Sequence, residues 1–175
     1  MNLRFFSYRF AEEVLNSPAF RASRDEAYAI LGALPPIAVN SPLWLQWRNP
    51  KKKPKKTHPF DPDAMNRWLD DQFGPKGWEI HPRIVPGTHL EGDYRKDRIQ
   101  IEVQFGNIAR YTYDLLKFQV SYARDEVDVG LLAVPVQSFA KEIGSNVAYY
   151  ERVLRELPHA KLSITLPIMV VGLEP

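Results

Sequence analysis

The stretch at 98–105, RIQIEVQF, alternates without a break: Ile99, Ile101, Val103 and Phe105 fall on one face, Gln100, Glu102 and Gln104 on the other. A strand of this kind packs its apolar face on a core and turns the opposite face toward helices or water. Two amphipathic helices are predicted ahead of it, at 6–15 and 24–34. The second has Ser23 as its N-cap, Asp25 and Glu26 in its first turn, and Pro35-Pro36 as its stop. Residues 42–58 read as irregular. Asp61-Pro62 begins a third helix, the aspartate capping and the proline at the first position; it runs to Phe73 and ends at Gly74-Pro75. Strands are predicted at 77–85 and 89–94, before the alternating one. A helix at 108–124 follows, with Tyr111, Leu115, Phe118 and Tyr122 on one side. The β-branched run 127–136 reads as a buried strand, 137–143 and 147–157 as helices parted by Gly144-Ser145-Asn146, and 162–171 as a closing buried strand.

That order predicts an α/β fold: a mixed central β-sheet flanked by helices, with one antiparallel portion and one crossover. No internal repeat is apparent. A chain of 175 residues, 45% hydrophobic and 25% charged, suits a single domain over 1–175 with a core large enough to fold unaided. Within it, 46–58 reads as a flexible basic loop. Like charges repel along Lys51, Lys52, Lys53, Lys55 and Lys56, and Pro54 breaks regular structure. The absence of cysteine excludes disulfides, thiolate zinc sites and a cysteine nucleophile. The first ten residues lack the apolar core of a secretory signal, and no stretch approaches the ~20 apolar residues of a membrane span. A cytoplasmic protein without a membrane partner is the expectation. The formal charge of +2 does not announce a nucleic-acid binder, so a DNA-binding face must come from charge segregation.

The alternating strand also carries candidate chemistry. A two- or four-residue turn centred on Asp97-Arg98 sets 96 against 99, 94 against 101 and Asp93 against Glu102. Opposed carboxylates repel unless positive charge lies between them, and a divalent cation would supply it. Oxygen donors with no sulfur and no clustered histidine favour a hard ion such as Mg2+, and the chemistry that follows is phosphodiester hydrolysis. The plain alternative is a hairpin with acids on its solvent face, balanced by Lys96 or Arg98. His58, His81, His89 and His159 lack zinc spacing and read as structural or exposed. Trp44, Trp47, Trp68 and Trp78 read as packing residues. The run from Lys51 to Lys56 is either a solvated loop or a phosphate contact; Lys96, Lys117 and Arg124 are less distinctive candidates for the same contact.

Asp93, eight intervening residues, then Glu102-Val103-Gln104 resembles the active-site signature of the BglII and BstYI restriction endonucleases, a branch of the PD-(D/E)XK nuclease superfamily in which glutamine replaces the usual lysine. The likeness extends from about residue 57 to the end. It takes in Lys76-Gly77-Trp78, Lys96-Asp97-Arg98, Tyr113-Asp114-Leu115, Val127 to Gly130, Tyr149-Tyr150-Glu151 and the final Gly172 to Pro175. The resemblance implies a restriction-endonuclease-like core in which Asp93 is the direct metal ligand and the Val103 carbonyl a second. Glu102 would hold the metal-bound or attacking water as base or orienter, and Gln104 would help position it. A neutral glutamine can only orient, which leaves the metal to supply most of the electrostatic stabilisation.

For recognition, the resemblance points to Asn107 and to Ser145 and Asn146 as base-reading positions. Asn107 also suits a turn or a helix N-cap, as Ser145 and Asn146 suit the cap of the next helix. It implies a homodimeric type II enzyme that cuts double-stranded DNA at a palindrome with a GATC core, beside a cognate DNA methyltransferase. The chain is short for the family, and Gly144-Ser145-Asn146 departs locally from it. A DNA-binding protein of this fold without turnover, or a less specific defence or repair nuclease, is the alternative.

Overall fold

The structure, a computed structural model, describes residues 1–51 and 58–175. The three most apolar segments set its frame. β4 (Ile99–Val103), β5 (Val129–Pro135) and β6 (Ile168–Glu174) lie side by side and parallel. Every residue of β4 and β5 is buried, as befits strands covered on both faces. β3 (Tyr94–Lys96) and β2 (Glu79–Ile80) extend the sheet antiparallel beyond β4, and β1 (Asn2–Tyr8) pairs antiparallel with β6. The order is β1-β6-β5-β4-β3-β2. The sheet is mixed, as anticipated, but with two parallel crossovers instead of one. α5 (Arg110–Ala123) leads from β4 to β5; α6 (Gln137–Ile143) and α7 (Tyr150–Glu156) lead from β5 to β6. Among the described residues no helix is long and apolar enough to cross a membrane.

The N-terminal third departs most from its pattern. Where a helix was expected from residue 6, β1 runs to Tyr8, Arg9 and Phe10 turn through left-handed backbone, and a short α1 (Ala11–Asn16) follows. Pairing with β6 supplies the backbone partners that a local helix would have provided internally. α2 (Arg21–Ala33) starts ahead of Ser23, which is therefore a buried residue within the helix and not its cap. Pro42 opens a helix inside the stretch read as irregular, α3 (Pro42–Trp47), with Ser41 accepting from the Trp44 amide. α4 (Pro62–Phe73) has the start its sequence dictates: Asp61 accepts from the Asp63 and Ala64 amides.

Other boundaries shift for tertiary reasons. The strand expected at 77–85 shrinks to β2, the one expected at 89–94 is displaced to β3 with only Tyr94 in common, and an isolated bridge joins Arg83 to Glu91. The helix expected from 147 begins at Tyr150, because Val147 bridges to Asn107 and the Ala148 amide donates to the Gly106 carbonyl. The last strand starts at Ile168, not at 162. Trp44 and Trp78 are buried, and Trp47 and Trp68 pack on the edge of the core. α5 lies close on β5: a Cβ at Gly130 would stand 3.0 Å from the Phe118 ring.

Candidate active site

The site is built on the β3–β4 hairpin. Lys96 faces Ile99 and Tyr94 faces Ile101, the register set by a two-residue turn at Asp97-Arg98. Both turn residues are left-handed, with φ of 46° and 62°, the backbone that matches the twist of the flanking strands. Without glycine this turn is strained, and side chains hold it. Asp97 accepts from the Ser23 hydroxyl at 2.5 Å, which ties the turn to α2. Arg98 forms ion pairs with Asp125 and Asp128 at 2.6 Å each. Lys96 pairs with Glu26 at 2.9 Å and donates to the Lys76 carbonyl. Neither Lys96 nor Arg98 balances Glu102.

That balance comes from α5. Glu102 is fully buried; its Oε2 lies 2.7 Å from the Lys117 ammonium, and its Oε1 accepts from Gln100 Nε2 at 2.7 Å. Lys117 also pairs with Asp114 at 2.9 Å, one helical turn earlier. Asp114 in turn accepts from Gln104 Nε2 at 2.7 Å, and Gln104 Oε1 accepts from the Gly106 amide. Asp93 stands just before β3, where its Oδ2 accepts from the Val103 amide at 2.7 Å. One network thus runs from Gln104 through Asp114 and Lys117 to Glu102, with Asp93 fastened to the neighbouring backbone. Sequence reasoning missed Asp114 as a site residue and took Lys117 only as a phosphate candidate. The available signal was their spacing of three on a helix following the alternating strand.

Two carboxyl groups share one ammonium here, and the charge of a third, Asp93, acts on Glu102 as well. Burial, and then the charge of Asp93, push the Glu102 carboxyl well above the usual carboxylate range. Burial raises Asp93 as well, partly offset by the Val103 amide and by Lys117. For Lys117 burial acts downward, but Glu102 and Asp114 outweigh it and its pKa rises. The cluster therefore lacks positive charge. It also has built space: a Cβ at Gly92 would lie 3.0 Å from Glu102 Oε1 and 3.2 Å from Gln100 Nε2, so only glycine leaves both side chains where they are. Gln100 Oε1 is buried with no hydrogen-bond partner among the described residues.

These features fit a hard cation. Among the described residues no three His, Cys, Asp or Glu side chains are grouped to hold a metal ion. The available donors are therefore the two carboxylates Asp93 and Glu102 together with main-chain oxygen. Such a sparse oxygen set suits an ion that keeps several of its waters.

A cleft of about 1270 Å³ opens beside the network, lined by Asp93, Val103, Gln104, Asn107, Asp114 and Lys117 among others. Glu102 lies behind this wall. His81 and His89 line the cleft too; His81 Nε2 is 3.6 Å from Asp70. Asn107 is exposed, and its Oδ1 accepts from the Ala109 amide at 2.9 Å, the turn role open to it from the sequence. The Asn146 carbonyl accepts from the Ile108 amide, which places exposed Ser145 and Asn146 next to Asn107. The caps expected of Ser145 and Asn146 are not formed, since Tyr149 precedes α7. Lys96 is not on the cleft wall. Lys51 is exposed; Lys52, Lys53, Lys55 and Lys56 lie outside the described residues.

The family model of the restriction endonucleases BglII/BglIII matches residues 3–173. The chain belongs to this family. Crystal structures of BglII share its fold. BglII complexed with a DNA 16-mer superposes with a TM-score of 0.75 at 20% identity, over 99% of this chain and 76% of that one. Free BglII gives a TM-score of 0.69 at 20% identity, over 100% of this chain and 80% of that one. No curated protein sequence matches the chain. The fold anticipated from the sequence, a restriction-endonuclease core on a mixed sheet, is the fold of this family.

Proposed function

We propose that the chain, working as a single nuclease domain over 1–175, is a type II restriction endonuclease. It hydrolyses double-stranded DNA at a short palindrome, with a GATC core, and uses Mg2+. The observation that carries this reading is that Asp93 and Gln104 share one cleft wall with Asn107, while Glu102 is buried just behind that wall in the same side-chain network and Ser145 and Asn146 lie next to Asn107. The DNA 16-mer held by BglII supports extending DNA binding to this relative.

Asp93, Glu102 and the Val103 carbonyl are the residues that would hold the metal. Bound there, Mg2+ supplies neutralisation of phosphate charge and a water of lowered pKa. Glu102 orients the attacking water and accepts its proton. Gln104, held by Asp114 and the Gly106 amide, is neutral and acts by orientation alone. Asn107, Ser145 and Asn146 read base edges in the major groove, whereas Lys51, Lys52, Lys53, Lys55 and Lys56 serve phosphate contact; Lys96, turned to Glu26 and away from the cleft, does not. A palindromic site calls for a two-fold protein, hence a homodimer, in a cytoplasm that also holds a cognate DNA methyltransferase.

Plasmid digestion with Mg2+ and with Ca2+ tests the reading. Discrete fragments with Mg2+, and binding without cutting with Ca2+, are expected; the mapped ends give the recognition sequence. Binding without any Mg2+-dependent cutting would leave a DNA-binding module, and a smear a less specific nuclease. Glu102→Ala is expected to lower cleavage at least about 100-fold while DNA binding persists. Normal cutting by that variant would overturn the assignment of the site.

A further inference from the structure

The charge that faces Glu102 arrives from a helix and stands at the cleft. Lys117 lines the cleft with 12% of its side chain exposed, while the carboxylate it pairs with is fully buried. Lys96 and Arg98, the nearest basic residues in sequence, are engaged by Glu26, Asp125 and Asp128. Lys117 is also held twice, at 2.7 Å by Glu102 and at 2.9 Å by Asp114. If it let go of Glu102 it would keep Asp114 as a pivot. Its four-carbon stem is flexible enough for that movement, and the Tyr113 ring, 5.7 Å from the ammonium, offers a face on the cleft side.

Two cations cannot share Glu102 comfortably. A divalent ion at that carboxylate repels an ammonium at hydrogen-bond distance from the same oxygen pair. A DNA phosphate entering the cleft offers the displaced ammonium a new partner of the right sign. We propose that Lys117 has two stations: it competes with the divalent cation for Glu102 and, once displaced, moves on Asp114 to contact the phosphate nearest the site. The proposal rests on the nuclease reading given above.

Manganese binding to the full chain without DNA, followed by calorimetry, is the decisive measurement. Lys117→Gln keeps a donor near Glu102 and Asp114 but removes the charge. It is expected to bind Mn2+ about ten-fold more tightly than the native protein, whereas Lys117→Arg stays within about two-fold. At saturating Mg2+, Lys117→Gln should cleave DNA about 100-fold more slowly. A purely structural lysine would not tighten metal binding when removed. Unchanged or weaker Mn2+ affinity in Lys117→Gln overturns the competition, and tighter binding with undiminished cleavage overturns the phosphate station.

The native protein provides a check that does not depend on how the variant folds. The rate of Lys117 acetylation, read by mass spectrometry of its peptide, should rise several-fold on addition of Ca2+; a constant rate overturns the displacement. A native protein that neither binds Mn2+ nor cuts DNA would instead bring down the nuclease reading itself, a result distinct from either.

Discussion

Glu102 is costly to ionise, and the cost has a definite direction with pH. Its carboxyl is buried against Asp93, which raises its pKa in the folded protein above that of an exposed glutamate, about 4.3. Between the unfolded and folded values the native state holds more protons than the unfolded chain, so stability falls as pH rises through that window. Glu102→Gln removes the penalty and leaves Lys117 its pair with Asp114. In the presence of a chelator the variant should therefore melt above the native protein at pH 8. The gap should close toward pH 4; for a chain of this size each kcal/mol is worth about 2–4 °C. Added Mg2+ should raise the native midpoint and barely move that of the variant, because the ligand stabilises only the form that binds it. A variant that melted below the native protein at pH 8 in chelator would mean that the Lys117 pair outweighs the burial of Glu102.

At the scale of elements, α5 is the carrier of the network, and its distance from the sheet is set where Phe118 meets Gly130. A methyl group at 130 would lie 3.0–3.2 Å from three atoms of that ring, which is itself fully buried. Overpacking of this kind costs about 1–3 kcal/mol, and here relief requires α5 to lift from β5 with Asp114 and Lys117 on it. Gly130→Ala should lower the denaturant midpoint accordingly and also slow cleavage. Loss of stability with an unchanged cleavage rate would show that the network tolerates the shift. The hairpin beneath α5 was legible in the sequence, because a strict period of two and a turn at Asp97-Arg98 fix its register locally. The start of α4 was legible for the same reason, since Asp61 and Pro62 act within one turn. β1 was not, as its partner β6 lies at the other end of the chain. The pairing of Lys117 with Glu102 was also hidden, because it depends on how the crossover lays α5 over β4. The separation of acids and bases on the hairpin suggested Lys96 or Arg98 as the balance, and both had partners further away.

For the molecule as a whole the question is where affinity and preference for DNA separate. A formal charge of +2 leaves little general attraction, and much of the basic complement is committed to internal pairs, as with Arg95 to Glu79 and Glu126. The five lysines between 51 and 56 are the densest positive run in the chain. Replacing all five with serine should weaken binding to cognate and unrelated DNA alike. The slope of log affinity against log salt should flatten by about 0.9 for each phosphate that is no longer neutralised. Asn107→Ala should do the opposite. The Asn107 carbonyl oxygen already accepts from the Ala109 amide, yet such an oxygen has a second lone pair and the amide nitrogen keeps its donors, so the turn and base reading are compatible. Its removal should cost the cognate site about 1–3 kcal/mol and relax the preference there, with the salt slope unchanged. Competition binding at several salt concentrations measures both quantities on both variants. If the lysine variant lost preference, or the asparagine variant lost salt dependence, phosphate contact and base reading would have to exchange places on this surface.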